Sequence, residues 1–156
     1  MNYAIKTILF ATDLGPHSEQ VLAHAAGMAQ RFGAELHLLT VMHASNEPSM
    51  VALDSYLPED VVAKLRTDAA QRIRDGANRL LDGAGNLVRS GLVGSVQVRE
   101  GNAAENVLAE ARRIGADLIV LGSHGHTPLG EMLIGSVAQR VSAKSTVPVL
   151  LVPINH

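Results

Sequence analysis

The sequence contains no cysteine and no tryptophan, and only 3% of its residues are aromatic. Without cysteine the chain has no disulfide framework, no thiol nucleophile and no thiolate metal site. Long hydrophobic runs are also missing: the apolar stretch Ile8–Ala11 is too short for a signal peptide, and nothing approaches the roughly 20 apolar residues of a transmembrane helix. We therefore expect a cytoplasmic protein that has no membrane partner.

The charge balance gives no basic surface for nucleic acid. The chain has 13 Lys and Arg against 15 Asp and Glu, for a formal net charge of −2. A nucleic-acid-binding domain normally shows a clear excess of Lys and Arg, so we expect no nucleic-acid partner. The length of 156 residues, with 47% hydrophobic residues, suits one domain spanning residues 1–156 that builds its own core.

The common phosphate-binding fingerprints are missing as well. The chain contains neither G-x-x-x-x-G-K-[ST] nor G-x-G-x-x-G. It has instead Gly122, Gly125 and Gly135 at spacings of two and nine residues, followed directly by Ser136. The buried-strand pattern of Asp117–Leu121 precedes these glycines and a helix pattern follows. Because a helix N-terminus after a glycine-bearing loop attracts anions, this order predicts a phosphate site.

Hydrophobic periodicity predicts alternating strands and helices. The expected strands are Tyr3–Ala11, Glu35–Met42, Ser95–Arg99, Asp117–Leu121 and Val147–Val152. The expected helices are Ser18–Phe32, a second from Pro58 to about Gly83–Gly85, a third from Asn102 to Ile114, and Ser136–Lys144. Strands separated by helices predict an α/β fold, a doubly wound parallel sheet with helices on both faces.

Four residues mark expected helix ends. Ser18 is placed to cap the first helix, and Asn102 to cap the third. Gly33 and Gly115 follow the first and third helices, where glycine readily adopts the left-handed conformation that ends a helix. No role is assigned to the loop at residues 44–57.

The glycine pattern G-x2-G-x9-G-[ST], with Val120–Leu121 before it and Val137 after it, resembles the ATP-binding loop of the universal stress protein family. The resemblance covers essentially the whole chain. It implies a single-domain, five-stranded sheet of order 3-2-1-4-5, similar to the adenine nucleotide alpha hydrolases. It also implies homodimers that pair through the C-terminal strand, Val149–Val152. In that order a ligand crevice is expected between strands one and four.

The resemblance also implies which residues bind the nucleotide. Ala11, Thr12 and Asp13 would lie beside the adenosine, the Val41 backbone would meet adenine, and Leu121 would pack on the base. The ribose and phosphates would contact Gly122, His124, Gly125, Gly135, Ser136 and Val137, and Mg²⁺ would bind through the phosphates. Simpler interpretations stay open: Asp13 as a turn residue, Val41 and Leu121 as core residues, and Ser136 as a helix cap.

The chain departs from the family at the residue after the second glycine. Many members carry Arg or Lys there, whereas this chain has His126, and Ser123–Ile134 contains no Lys or Arg. Anion binding would then depend on backbone dipoles and on partly protonated histidine, which leaves ATP, ADP and AMP as candidate ligands. His124 and His126 alone are weak evidence for a metal site. Glu131 is the one carboxylate within this segment, and we expect ATP hydrolysis to be absent or slow.

Three functional classes follow. The first is an adenine-nucleotide-binding stress-response protein, a switch whose state is read by an unidentified regulatory partner. The second is a dimeric interaction protein that binds no nucleotide. The third is an enzyme, either a slow ATPase or a nucleotide-dependent transferase, although the chain contains no H-x-G-H or K-M-S-K-S segment.

Overall fold

The computed structural model describes residues 3–15, 17–42, 58–123 and 135–154. The strands are β1 (Thr7–Thr12), β2 (Glu35–Met42), β3 (Val93–Glu100), β4 (Leu118–Gly122) and β5 (Val149–Val152). The helices are α1 (Ser18–Phe32), α2 (Glu59–Gly83), α3 (Gly85–Arg89), α4 (Ala103–Ile114) and α5 (Ser136–Lys144). The loop at 44–57 and the segment 124–134 lie outside the described residues.

The five strands form one parallel sheet in the order β3-β2-β1-β4-β5, which confirms the predicted order. The central strand β1 pairs with β2 from Thr7–Glu35 to Thr12–Thr40. Residues 8–10 of β1 are at most 1% exposed. A continuous apolar run suits such a strand, since helices cover both faces of a parallel sheet.

Each face of the sheet carries its own hydrophobic core. The first core contains Ile8, Phe10, Leu36 and Leu38 with the inward side of α1. The second contains Leu9, Leu39, Ile119 and Leu121 with residues of α4 and α5. Because successive side chains of a strand point to opposite faces, neighbouring residues of β1 alternate between the two cores.

Three predicted helix ends are confirmed. Gly33 and Gly115 end α1 and α4 with φ of 64° and 67°, a left-handed conformation that costs glycine little. Asn102 caps α4, and its Oδ1 accepts a hydrogen bond from the Glu105 N–H at 3.0 Å. The two helices therefore begin or end at these residues, as the residue types predict.

The predicted cap of α1 is wrong by one residue. His17 occupies the cap position and Ser18 is the first helical residue. The Ser18 N–H donates to the Gly15 carbonyl at 3.1 Å, so the preceding turn carries the chain into the helix. The predicted end of α2 at Gly83–Ala84–Gly85 is confirmed, and the short helix α3, which was not predicted, begins immediately after the buried Ala84.

Several strand boundaries differ from the prediction. β1 begins at Thr7 instead of Tyr3, because the N–H groups of Lys6 and Thr7 donate to the Asp117 carboxylate at 2.9 and 3.0 Å. β3 is longer than predicted, since β2 offers pairing partners from Leu36 to Met42. β5 begins two residues later than predicted, after a turn held by Ser145.

Candidate functional site

A crevice is expected where β1 and β4 end, because the connections from these neighbouring strands leave in opposite directions. Pairing between the two strands runs from Ile8–Leu118 to Phe10–Val120. Both strands extend beyond that last pair, β1 to Thr12 and β4 to Gly122. The carboxyl ends therefore separate at the topological switch point of the sheet.

Four of the residues predicted to bind the nucleotide meet in one apolar cluster beside these strand ends. Ala11 and Leu121 are 6% and 4% exposed, and both belong to the core beneath α4 and α5. Val41 from β2 and Val137 from α5 are partly buried and pack against the same core. Residues of four separate elements thus share one hydrophobic core at the strand ends, and an apolar surface is what a flat heterocyclic base requires.

The end of β1 is fixed by polar contacts. The hydroxyl of Thr40, a residue only 2% exposed, donates to the Thr12 carbonyl at 2.8 Å. The Thr12 Oγ1 accepts from the Leu14 N–H at 3.0 Å, and the Asp13 Oδ1 accepts from the Gly15 N–H at 2.8 Å. The interpretation of Asp13 as a turn residue is therefore confirmed, while its carboxylate is exposed and accessible to a ligand.

The start of α5 supplies backbone donors on the other side of the glycine-bearing segment. Gly135, not Ser136, occupies the cap position, so the prediction of Ser136 as a helix cap is wrong. The Gly135 N–H donates to the Ser123 carbonyl at 2.9 Å, which ties the two ends of the segment together. The first helical bond runs from Gln139 to the Gly135 carbonyl. Helix geometry therefore leaves the N–H groups of Ser136 and Val137 without an intrahelical acceptor.

The glycine at position 122 packs closely against its neighbours. A side chain there would place its Cβ 2.9 Å from the Ile154 Cδ1 and 3.5 Å from the Val21 Cγ2. A larger residue would therefore require the end of the Ile154 side chain to shift. The predicted site residues His124 and Gly125 lie outside the described residues, as do His126 and Glu131.

A buried ion-pair network next to Val41 was not predicted from the sequence. Glu110 of α4 is 2% exposed and accepts hydrogen bonds from Arg113 of the same helix and, at 3.0 Å, from Arg99 of β3. Arg99 is the register partner of Val41. The hydrogen bonds from Arg113 are the largest influence and hold the pKa of Glu110 below its usual value, against the opposing effect of burial. The network joins α4 to β3, the edge strand that pairs with β2.

A second polar chain lies at the opposite end of the sheet. His37 Nδ1 is 2.6 Å from Ser95 Oγ, and His37 Nε2 is 2.9 Å from Glu35 Oε1. The register between β2 and β3 shifts at this point, so that Gly94 is the extra residue. A side chain at Gly94 would collide with the Glu35 carboxylate. These contacts thus stabilise the irregular pairing of β2 and β3. In the sequence, the alternation of Glu35 and His37 was the signal for this polar cluster.

The described residues offer no preformed metal cluster and no membrane-spanning helix. Within residues 3–15, 17–42, 58–123 and 135–154, no group of three or more His, Asp or Glu side chains is arranged to hold a metal ion. No helix in that part of the chain is both long and apolar enough to cross a membrane.

Comparison with known proteins identifies relatives of this chain. Residues 4–153 match the model of the universal stress protein family. Universal stress protein YxiE of Bacillus subtilis is 31% identical over 150 residues, which cover 93% of this chain and 97% of the relative. The match therefore includes all five strands.

Solved structures of universal stress proteins share the fold of this chain over nearly its whole length. The structure of the hypothetical protein MJ0577 of Methanocaldococcus jannaschii has a TM-score of 0.76 at 27% identity, covering 97% of this chain and 98% of that one. A universal stress protein in complex with cAMP has a TM-score of 0.60 at 22% identity, covering 97% and 99% of the two chains, and shows the shared fold alone. From the sheet order, the family match and these relatives, the chain belongs to the universal stress protein family.

Proposed function

We propose that this protein binds an adenine nucleotide between the carboxyl ends of β1 and β4. One observation carries the proposal: Val137 and Val41 pack against the core that contains Ala11 and Leu121, while the N–H groups of Ser136 and Val137 lie in the first turn of α5. A base needs an apolar wall and a phosphate needs backbone donors at a helix N-terminus. Both features meet at this end of the sheet.

The phosphate contacts refine the expected role of Gly135. Its N–H already donates to the Ser123 carbonyl, so we assign phosphate binding to the N–H groups of Ser136 and Val137. Gly135 then serves by its small size, because a side chain would stand between the ligand and these donors. Gly122 and, beyond the described residues, His124 and Gly125 complete the proposed ribose and phosphate contacts.

The ligand we favour is ATP, with ADP and AMP as candidates that carry fewer phosphates. Mg²⁺ would bind together with the nucleotide, through the phosphates. Among the residues proposed for the site, Asp13 alone carries a carboxylate, and its Oδ1 accepts a hydrogen bond from the Gly15 N–H. A single carboxylate suits a magnesium ion that keeps its waters and its phosphate ligands. Asp13 would then contact either the ribose or a magnesium-bound water.

We further propose that the nucleotide acts as a switch that a regulatory protein partner reads in the cytoplasm, and that the protein is a homodimer. β5 is an edge strand of partly exposed Val149, Leu150 and Leu151. The carbonyls of Pro148 and Val152 accept hydrogen bonds from Ile119 and Ser123 on the β4 side. By the alternation of a strand, the peptide groups of Val149 and Leu151 face the open edge, where a second β5 would satisfy them.

Thermal unfolding with a ligand panel tests the binding proposal. We expect ATP, ADP or AMP to raise the melting temperature in a saturable way, because a ligand that binds only the folded state stabilises it by mass action. GTP at the same concentrations serves as the control for the base, and cAMP for the open phosphate chain. If none of the adenine nucleotides shifts the transition, the proposal fails and a dimeric interaction protein without nucleotide becomes the better account.

A further inference from the structure

Leu14, directly after the proposed nucleotide contacts of β1, has a strained backbone. Its φ is 61°, and among the described residues it is the one non-glycine residue with positive φ. A leucine in the left-handed region brings its Cβ close to the following carbonyl oxygen. Such conformations persist only where surrounding contacts enforce them, and they concentrate at ligand sites.

Two hydrogen bonds hold Leu14 in this conformation, one at its N–H and one at its carbonyl. Its N–H donates to the Thr12 Oγ1 at 3.0 Å. Its carbonyl accepts from the Arg79 Nη2 at 2.7 Å, a charge-assisted bond from a residue 65 positions later on α2. Thr12 is itself held by the buried Thr40 hydroxyl, so Arg79 is the partner that reaches the turn from a different layer of the fold.

Asp13 directly precedes Leu14, whose N–H and carbonyl are both held. The Asp13 Oδ1 accepts a hydrogen bond from the N–H of Gly15, two residues later, and the backbone angles of Leu14 set the direction of that N–H. If Leu14 relaxed to negative φ, the Gly15 N–H would turn away and the Asp13 carboxylate would lose this restraint. The left-handed turn therefore sets where this carboxylate points.

We propose that Arg79 is a positioning residue for the nucleotide site: by donating to the Leu14 carbonyl it holds the left-handed turn that directs Asp13 at the ligand. The inference rests on the proposed function, and it extends the site to α2, an element outside the glycine-bearing segment. It also gives α2 a connection to the ligand, because the same bond joins this helix to the binding turn.

The surroundings of Arg79 allow positioning to be separated from stability. Arg79 and Leu14 line an open cleft of about 330 Å³, together with Thr12, Glu19 and Asp82. The Arg79–Leu14 bond is solvent-exposed, so its removal leaves no polar group buried without a partner. We therefore expect Arg79 variants to keep their fold while the turn loses its restraint.

The test measures the affinity of the purified protein for ATP, ADP and AMP by calorimetry. Arg79→Ala is expected to weaken binding about tenfold, because the turn would then hold its ligand-binding conformation in only about a tenth of the molecules. Arg89→Ala is the matched control, because the Arg89 guanidinium donates to Asn86 and not to the binding turn. Denaturant unfolding of both variants should give similar stabilities.

A rescue variant separates positioning from direct contact or simple loss of charge. Adding Leu14→Gly to Arg79→Ala should recover most of the lost affinity, since glycine takes positive φ without support. Wild-type affinity in Arg79→Ala would overturn the inference and leave the proposed function intact. Weakened binding that Leu14→Gly fails to recover would also overturn it. If the wild type binds no adenine nucleotide, the proposed function and this inference both fail.

Discussion

Replacing Glu110 by glutamine should loosen the connection between α4 and β3. The carboxylate is 2% exposed and accepts three kinds of contact from arginine: Arg99 Nη2 at 3.0 Å, Arg113 Nε at 3.0 Å, and Arg113 Nη2. Glutamine has nearly the same shape and offers one oxygen instead of two charged ones. The substitution thus removes the charge and leaves the packing volume unchanged.

The expected loss of unfolding free energy is about 1–2 kcal/mol. A hydrogen bond to a charged group contributes about 1.5–3 kcal/mol and a neutral one about 1 kcal/mol. The side chains of Arg99 and Arg113 are 40% and 50% exposed, so solvent screening reduces their share. For a chain of this length each 1 kcal/mol lowers Tm by about 2–4 °C, so Tm should fall by roughly 2–8 °C.

The effect should depend on pH in a defined direction. The folded-state pKa of Glu110 is lowered, chiefly by the hydrogen bonds from Arg113, so folding favours the charged carboxylate. The stabilisation is therefore complete above the pKa of an unfolded glutamate, about 4.3. It is lost as the pH falls through the lower folded-state pKa. The stability difference between wild type and Glu110→Gln should accordingly be largest near pH 7 and shrink in acid.

Denaturant unfolding followed by circular dichroism at several pH values measures this difference. Glu105→Gln is the matched control, because Glu105 lies on the same helix and is exposed. Its effect should stay within about 0.5 kcal/mol, as for most surface substitutions. The charge of Glu110 would not stabilise the fold as described if wild type and Glu110→Gln had the same unfolding free energy at pH 7. The same conclusion would follow if the difference between them stayed constant from pH 7 down to pH 3.

Two further predictions concern assembly and chemistry. Leu151→Pro removes an N–H that faces the open edge of β5, so light scattering should show a dimer converted to a monomer; Phe32→Ser, at a side chain 48% exposed elsewhere, should leave the mass unchanged. A monomeric wild type at micromolar concentration would contradict the dimer. Single-turnover assays with labelled Mg·ATP should give a rate well below about 1 s⁻¹, because Ser123–Ile134 carries no Lys or Arg to stabilise the transferred phosphoryl group. Turnover above that rate that disappears in Glu131→Gln would make the protein an ATPase.

The fold could be predicted because its signals are local. The apolar run before Gly122 and the helix after Gly135 follow each other within a short stretch, and Gly33 and Gly115 mark helix ends by their own backbone preference. The order of the strands came from family resemblance, since periodicity alone does not say which strands pair. The short helix α3 was missed because Gly83–Ala84–Gly85 indicates a stop and carries no information about a restart.

The contacts that shape the candidate site could not be predicted, because they join distant positions. Arg79 reaches Leu14 across 65 residues of sequence, and no pattern in either segment indicates the pairing. Glu110 and Arg113 do carry the helical i, i+3 signal, but the burial of Glu110 depends on Arg99 from another element. The hydrogen bond from the Gly135 N–H to the Ser123 carbonyl likewise joins positions twelve residues apart, and nothing in the glycine spacing indicates it.

Calorimetric titration of Mg·ATP into the wild type and Gly135→Val tests whether the nucleotide binds at the start of α5. Gly135 has φ of −59° and ψ of 151°, a conformation open to any residue, so valine there strains no backbone. Gly27→Val is the control, because a Cβ at Gly27 meets nothing within 4 Å. We expect saturable binding to the wild type and to Gly27→Val, with no detectable binding to a folded Gly135→Val. Equal affinity for wild type and Gly135→Val would contradict the proposed site.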